Sequence, residues 1–267
     1  AAWWSTDTTY SKICPGPATI TIPTLWPKKA IWNGSSFEQT GFIPDKLIPP
    51  ASLTDNLSVQ GNIGGKIGVS SDQFDHSKGV WPSIRQFGDP CGTPNGTAEG
   101  WSARWNSTDW QPKAAKFVNL NDLARGMDIA YLPNNEAISV YDDIDIVTEK
   151  RIIKWSQELT NTTWINKGQL DSGFGVFPTI ASLAHNRTAT IWTNFTSPNI
   201  NKIIWSNISN EHVNAGSWAN ALVLADGGGP PDIAAHTGSP TIPHAEWTYA
   251  GYFDGDNDLH PFITGPS

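Results

Sequence analysis

Apolar and polar positions along this chain fall into a pattern that repeats. One copy runs through Asp128-Ile129-Ala130-Tyr131-Leu132, Ile138-Ser139-Val140-Tyr141 and Arg151-Ile152-Ile153-Lys154-Trp155, and closes on Trp164. The next runs through Thr179-Ile180-Ala181-Ser182-Leu183, Ala189-Thr190-Ile191-Trp192 and Lys202-Ile203-Ile204-Trp205, and closes on Trp218. A third begins at Asp232-Ile233-Ala234. The closing Trp recurs at 110, 164 and 218, a spacing of 54 each time, and the Ile-Ala pairs recur 51 and 53 residues apart. Short apolar or alternating runs bounded by turn residues predict strands. Self-similarity at this period, with several strands per unit, predicts propeller blades. The expected fold is all-β: a single β-propeller domain over 1–267, of about five four-stranded blades with repeats of 51–54 residues. Small residues in the inner strand permit close packing around a channel, and Trp155 and Trp205 are expected to pack between neighbouring blades.

The blades are clear from about 110 to 267 and degenerate over 1–109. Trp32 stands 19 residues before Ala51, close to the Trp-to-Ala steps elsewhere, so a blade is expected to begin there. Trp32 to Trp110 is 78 residues, too long for one plain blade, and the excess is assigned to an insertion around 87–100. The strand-like Ala18-Thr19-Ile20-Thr21-Ile22 either forms a degenerate blade or closes the ring beside the C-terminus. Six shorter blades, or a sandwich with duplicated halves, are the alternatives.

Composition changes the picture mainly by compartment and partner. Eight Asn-X-Ser/Thr sequons, at Asn33, Asn56, Asn95, Asn106, Asn161, Asn186, Asn194 and Asn207, point to a eukaryotic secreted glycoprotein. The two cysteines, Cys14 and Cys91, are expected to form one disulfide in an oxidising compartment, tying back the 87–100 insertion. No apolar run approaches a membrane span, and with no charged leader ahead of Ala1 the chain reads as a mature secreted form. A net charge of −8 with no basic cluster argues against nucleic acid or an anionic membrane as partner. Fourteen Trp and ten Phe supply aromatic surface for a core or a binding site.

The repeat resembles the blades of the fungal fucose-binding lectin superfamily over residues ~110–260. Ile138-Ser139-Val140-Tyr141 and Ala189-Thr190-Ile191-Trp192 match the second strand of those blades, and Arg151-Ile152-Ile153-Lys154-Trp155 and Lys202-Ile203-Ile204-Trp205 the third. The resemblance implies a sugar-binding Arg on the second strand and Glu on the third. Here Ser139 and Thr190 hold the Arg position, and Lys154 or Trp205 the Glu position. Hydroxyls do not replace the directional bonds of guanidinium and carboxylate, so the repeated sugar sites look lost. A repeating skeleton with non-repeating polar groups predicts one unique pocket.

Polar candidates for that pocket are Arg125, Asp128, Asp142, Asp143, His185, His236, His244 and Glu246, with Tyr141, Trp192 and Trp247 as aromatic walls. His236 follows an inner strand, a favourable place for a general acid–base group, with Asp142, Asp143 and Arg125 as further catalytic candidates. Asp142-Asp143 also reads as a solvated turn, and His236 as a structural histidine. Asp254-Gly255-Asp256-Asn257-Asp258 spaces oxygens as a calcium loop does but lacks the twelfth-position Glu, so it is read as an acidic turn and no metal site is assigned. No phosphate loop, zinc motif or serine-hydrolase elbow is present, and no cofactor is expected.

Two functions remain. Secreted, glycosylated, Trp-rich fungal proteins of this size include the hetero-Diels–Alderases of tropolone sesquiterpenoid biosynthesis, which the chain resembles in those respects. That resemblance implies an enzyme acting on a small apolar substrate, by dehydration to a quinone methide and cycloaddition with a terpene alkene, without a cofactor. The alternative is a carbohydrate-binding propeller lectin whose partner is a glycan.

Overall fold

The computed structural model describes residues 2–13, 19–32, 35–42, 58–59, 68–71, 76–87, 95–106, 110–122, 124–132, 136–160, 163–170, 173–183, 187–197, 200–208, 218, 221–226, 229–236, 247–253 and 259–264. They build five antiparallel sheets arranged as a β-propeller, and no helix occurs among them. The first sheet is β1 (Ala2–Ile13), β2 (Thr19–Trp32) and β3 (Phe37–Phe42). In the second, β4 (Ser58–Val59) and β5 (Gly68–Ser71) share one edge of β6 (His76–Phe87), followed by β7 (Asn95–Asn106) and β8 (Trp110–Leu120). The third is β9 (Met127–Tyr131), β10 (Ala137–Ile144), β11 (Arg151–Thr160) and β12 (Thr163–Gln169). The fourth is β13 (Gly175–Ser182), β14 (Thr188–Ser197), β15 (Ile200–Ile208) and β16 (Leu222–Asp226). The fifth is β17 (Asp232–His236), β18 (Trp247–Phe253) and β19 (Leu259–Thr264).

β5, β9, β13 and β17 are the inner strands and touch in succession. β9 is buried at every position because a neighbouring blade covers each of its faces, whereas the outer β12 is mostly exposed. Strand alternation explains the Ile-Ala pairs. The Ile leans back on the preceding blade: Ile129 joins Val80, Ala98 and Val118, and Ile180 joins Leu132 and Val140. Ile233 does the same with Leu183 and Ile191. The Ala faces forward, Ala130 toward Ile180 and Ala181 toward Ile233. A bulkier residue there would push consecutive blades apart.

Trp155 behaves as expected, fully buried between the third and fourth blades and edge-on to Trp218, with ring centroids 5.6 Å apart. The side chain of Trp205 lies outside the described residues. Trp110 opens β8 and Trp164 lies in β12, the outermost strands of their blades, whereas Trp218 precedes the outermost strand of its own, β16. Residues 95–100 of the expected insertion continue β7 in register with β6. Residues 88–94, together with Cys14, Cys91 and Asp254–Asp258, lie outside the described residues, so the disulfide and the acidic turn have no structural account.

Candidate functional site

The inner strands run in one direction, and one level across them, here called the start face, takes the second residue of β9, the fifth of β13, just past its bulge, and the first of β17. There Asp128 of β9, Thr179 of β13 and Asp232 of β17 stand at one level. These are the residues that precede the three Ile-Ala pairs. The Thr179 hydroxyl lies 2.6 Å from Asp128 Oδ2 and 3.3 Å from Asp232 Oδ1, so it can donate to either carboxylate. The same Asp128 oxygen accepts the Ile180 N–H at 3.1 Å, and its partner oxygen accepts the Ile129 N–H at 2.9 Å. Asp128 therefore laces the third blade to the fourth. Asp232 is exposed while Asp128 and Thr179 are buried, so Asp232 is the member of the cluster that reaches solvent. On the other side of Asp128 stands Gly68, where a Cβ would lie 2.5 Å from both the Cα and Oδ1 of Asp128.

Asp142 and Asp143, at the end of β10, face the segment that leads into β9. Asp142 is fully buried and accepts the N–H of Gly126 at 2.7 Å, the N–H of Arg125 at 3.2 Å and Arg151 Nη1 at 2.7 Å. Arg151 also bonds Asp122. Burial pushes the Asp142 carboxyl above its ordinary range, while the Gly126 N–H, the Arg151 charge and the Arg125 N–H pull it back. Asp143 accepts Asn121 N–H and its own Ile144 N–H, both at 2.8 Å, and Lys154 Nζ at 2.8 Å. The two carboxylates thus fix the 121–126 segment beneath the start face. They are neither a solvated turn nor open at a channel mouth.

Of the aromatic walls expected for the pocket, two are interior. Tyr141 is fully buried, edge-on to Phe117 at 6.2 Å, with its hydroxyl 3.1 Å from Ser156 Oγ. Burial pushes its phenol up to about 12, against a smaller opposing effect of the Ser156 hydrogen bond. Trp192 is fully buried with Ile153 and Leu170. Both belong to second strands, which neighbouring blades enclose on each face. His236 and Trp247 are paired opposite each other in β17 and β18, but at the finish of β17, a strand length from Asp232. The structure therefore does not gather Tyr141, Trp192, His236 and Trp247 into one pocket. The side chains of His236 and Trp247 lie outside the described residues, as do His185, His244 and Glu246 altogether. Arg125 is exposed at the start face. Among the sequons, the Asn194 side chain is 5% exposed within β14, which leaves no room there for a glycan on the folded chain. Asn95, Asn106 and Asn207 lie in strands with side chains outside the described residues, and Asn33, Asn56, Asn161 and Asn186 lie outside them entirely. Among the described residues, no group of three or more His, Cys, Asp or Glu is placed to hold a metal ion.

Sequence reasoning missed Thr179 and Asp232 as functional positions, although the register of the repeat marks both. It also missed a charge pair between the second and third blades. Lys78 of β6, 1% exposed, pairs with buried Glu158 of β11. Its ammonium lies 5.3 Å from the Tyr131 ring centroid and 5.8 Å from that of Trp164. Burial, reinforced by the Arg104 charge, pushes the Lys78 amine down to about 7.

No family model and no curated protein matches the sequence. Solved structures do. A protein of unknown function from Dyadobacter fermentans superposes with a TM-score of 0.56 at 12% identity, over 91% of this chain and 68% of that one. The GH93 alpha-L-arabinofuranosidase of Fusarium graminearum, in complex with arabinobiose, gives 0.54 at 11% identity, over 97% and 79%. A PL25 ulvan lyase gives 0.51 at 10% identity, over 96% and 64%. At such identities the likeness is one of fold: the chain is a β-propeller, and its described residues form five sheets.

Proposed function

We propose that this chain is a secreted carbohydrate-binding propeller that takes one saccharide at the start face. The observation that carries the reading is the Asp128–Thr179–Asp232 cluster, one hydroxyl between two carboxylates with Asp232 open to solvent. Sugars present adjacent hydroxyl donors, and an ionised carboxylate is the strongest acceptor a side chain can offer them. Propellers that act on or bind glycans share this fold, which raises the prior by analogy only. Among the described residues the cluster occurs once, across the third to fifth blades, and Gly68 holds bare backbone beside it, so one ligand per chain is expected. The apolar-substrate reading loses support, because Tyr141 and Trp192 are closed into the core and line no opening.

A second reading, glycoside hydrolysis, is favoured by one further observation. Both carboxylates reach a single hydroxyl, so their facing oxygens stand no farther apart than those two hydrogen-bond distances together. Retaining glycosidases hold their two carboxyl groups ~5–5.5 Å apart. The test is an array of arabino-, fuco-, gluco- and rhamno-oligosaccharides, read for binding and for release of reducing ends. Wild type should bind a subset, and Asp232→Asn should weaken that binding at least tenfold. Binding to no saccharide, or Asp232→Asn binding like wild type, would refute the proposal. Reducing-end release would move the protein from binder to hydrolase.

A further inference from the structure

Two non-glycine residues among those described have left-handed backbone: Glu149, φ 56°, and Phe177, φ 54°. The first is explained by its turn, since the Glu149 N–H closes on the Asp145 carbonyl at 2.8 Å between β10 and β11. Phe177 has no such turn. It sits inside inner strand β13, at the bulge between Val176 and Thr179, in a left-handed conformation that is unfavourable for any residue with a Cβ.

The strained backbone is held from outside. Gly126 lies flat on it: a Cβ at 126 would stand 2.8 Å from Phe177 Cα and 3.2 Å from its carbonyl carbon. Gly126 is in turn bonded twice to Asp142, donating its N–H at 2.7 Å and accepting the Asp142 N–H at 3.3 Å. A buried carboxylate, its arginine and a glycine thus brace a conformation that a phenylalanine on its own would leave. The result is a ring only half-buried, between buried Val176 and buried Pro178. It stands two residues before the hydroxyl that links Asp128 to Asp232. Exposed Arg125 adjoins the bracing glycine, and Phe174, 40% exposed, comes just before the strand. Strain maintained by its surroundings beside a polar cluster is the pattern of a functional position.

We infer that Phe177 is the aromatic platform of the start-face site, stacking on the C–H face of a sugar ring whose hydroxyls reach Asp232. This rests on the carbohydrate reading and adds the residue that selects rings with one apolar face. The π cloud of an aromatic ring is negative on its face and receives the positively polarised C–H bonds of such a ring.

Phe177→Gly separates ring from backbone, because glycine adopts φ near +54° freely. On the array of arabino-, fuco-, gluco- and rhamno-oligosaccharides, the variant should raise the apparent Kd of every wild-type ligand at least tenfold. Its urea midpoint should stay at or above that of wild type. Gly126→Ala, which presses on the Phe177 backbone, should weaken binding in the wild-type background and not further in Phe177→Gly. Unchanged apparent Kd in Phe177→Gly would overturn the inference while leaving the saccharide site standing. A fall in urea midpoint accompanying the loss of binding would make the ring a packing group and overturn it equally. Wild type that binds no arrayed saccharide would instead refute the carbohydrate reading on which this one depends.

Discussion

The Lys78–Glu158 pair joins the second blade to the third in a place where neither charge meets solvent. Taking two such charges out of water costs several kcal/mol per ion, which their attraction offsets only while both are present. Removing one partner therefore does more harm than removing both. Lys78→Met strands the Glu158 carboxylate and also removes the cation facing Tyr131 and Trp164. At pH 6, where the amine carries its proton, the expected loss is ~3–5 kcal/mol, a large share of the stability of an ordinary domain. Glu158→Leu is milder near pH 8, because an amine already pushed down to about 7 sheds its proton, and it becomes harsher toward pH 6. The double variant should lie within ~1 kcal/mol of wild type or above it. Urea unfolding of all four proteins at pH 6 and 8 gives the cycle directly. In wild type the unfolded chain holds the extra proton between about 7 and 10.5, so Lys78 makes stability rise with pH across that window. Lys78→Met should lose that rise. Single variants each costing under ~1 kcal/mol, or a double variant whose loss equals the two singles added, would refute the reasoning.

Trp155→Ala should cost ~3–5 kcal/mol by opening a cavity between the third and fourth blades; a loss below ~1.5 kcal/mol in urea unfolding would show that Trp155 and Trp218 do not hold that interface. For Tyr141 the sign is opposite to that of Lys78. Its phenol, pushed up to about 12 in the fold against 10.0 in the unfolded chain, makes stability fall as pH rises from 10 to 12, by up to ~2.7 kcal/mol. Ultraviolet phenolate titration should show a late-ionising step that vanishes in Tyr141→Phe.

The Ile-Ala pairs are legible in the sequence because three blades repeat their one geometric duty, and Trp155 because a large aromatic in a repeated strand suits the gap between blades. Trp192 and Tyr141 are not, although they are part of the same repeat. An aromatic at the same point of each second strand suits a pocket wall as well as an interior wedge, and alternation along one strand does not say what covers its faces. Asp142 and Asp143 stand out as charges in an apolar strand. Their purpose stays hidden because Asn121, Gly126 and Arg151 reach them from separate segments. Lys78 is least legible of all: a lysine in the twelve-residue β6 looks solvated until the third blade closes over it. The start-face cluster falls between these cases. The register shows Asp, Thr and Asp at equivalent positions, and only the fold shows that one hydroxyl touches both acids.

Gly68 gives that cluster its handedness. The equivalent position on the second blade has no room for a side chain, because the backbone of Asp128 already fills it. Rotational likeness among the blades is thereby broken irreversibly. Restoring a matching acid or hydroxyl at 68 would require moving an inner strand rather than changing a residue. A duplicated blade ordinarily lets a repeat protein multiply its sites by point substitution, but here that evolutionary route is shut. On the proposed reading, a ligand at the start face meets carboxylate chemistry toward the fifth blade and bare backbone toward the second.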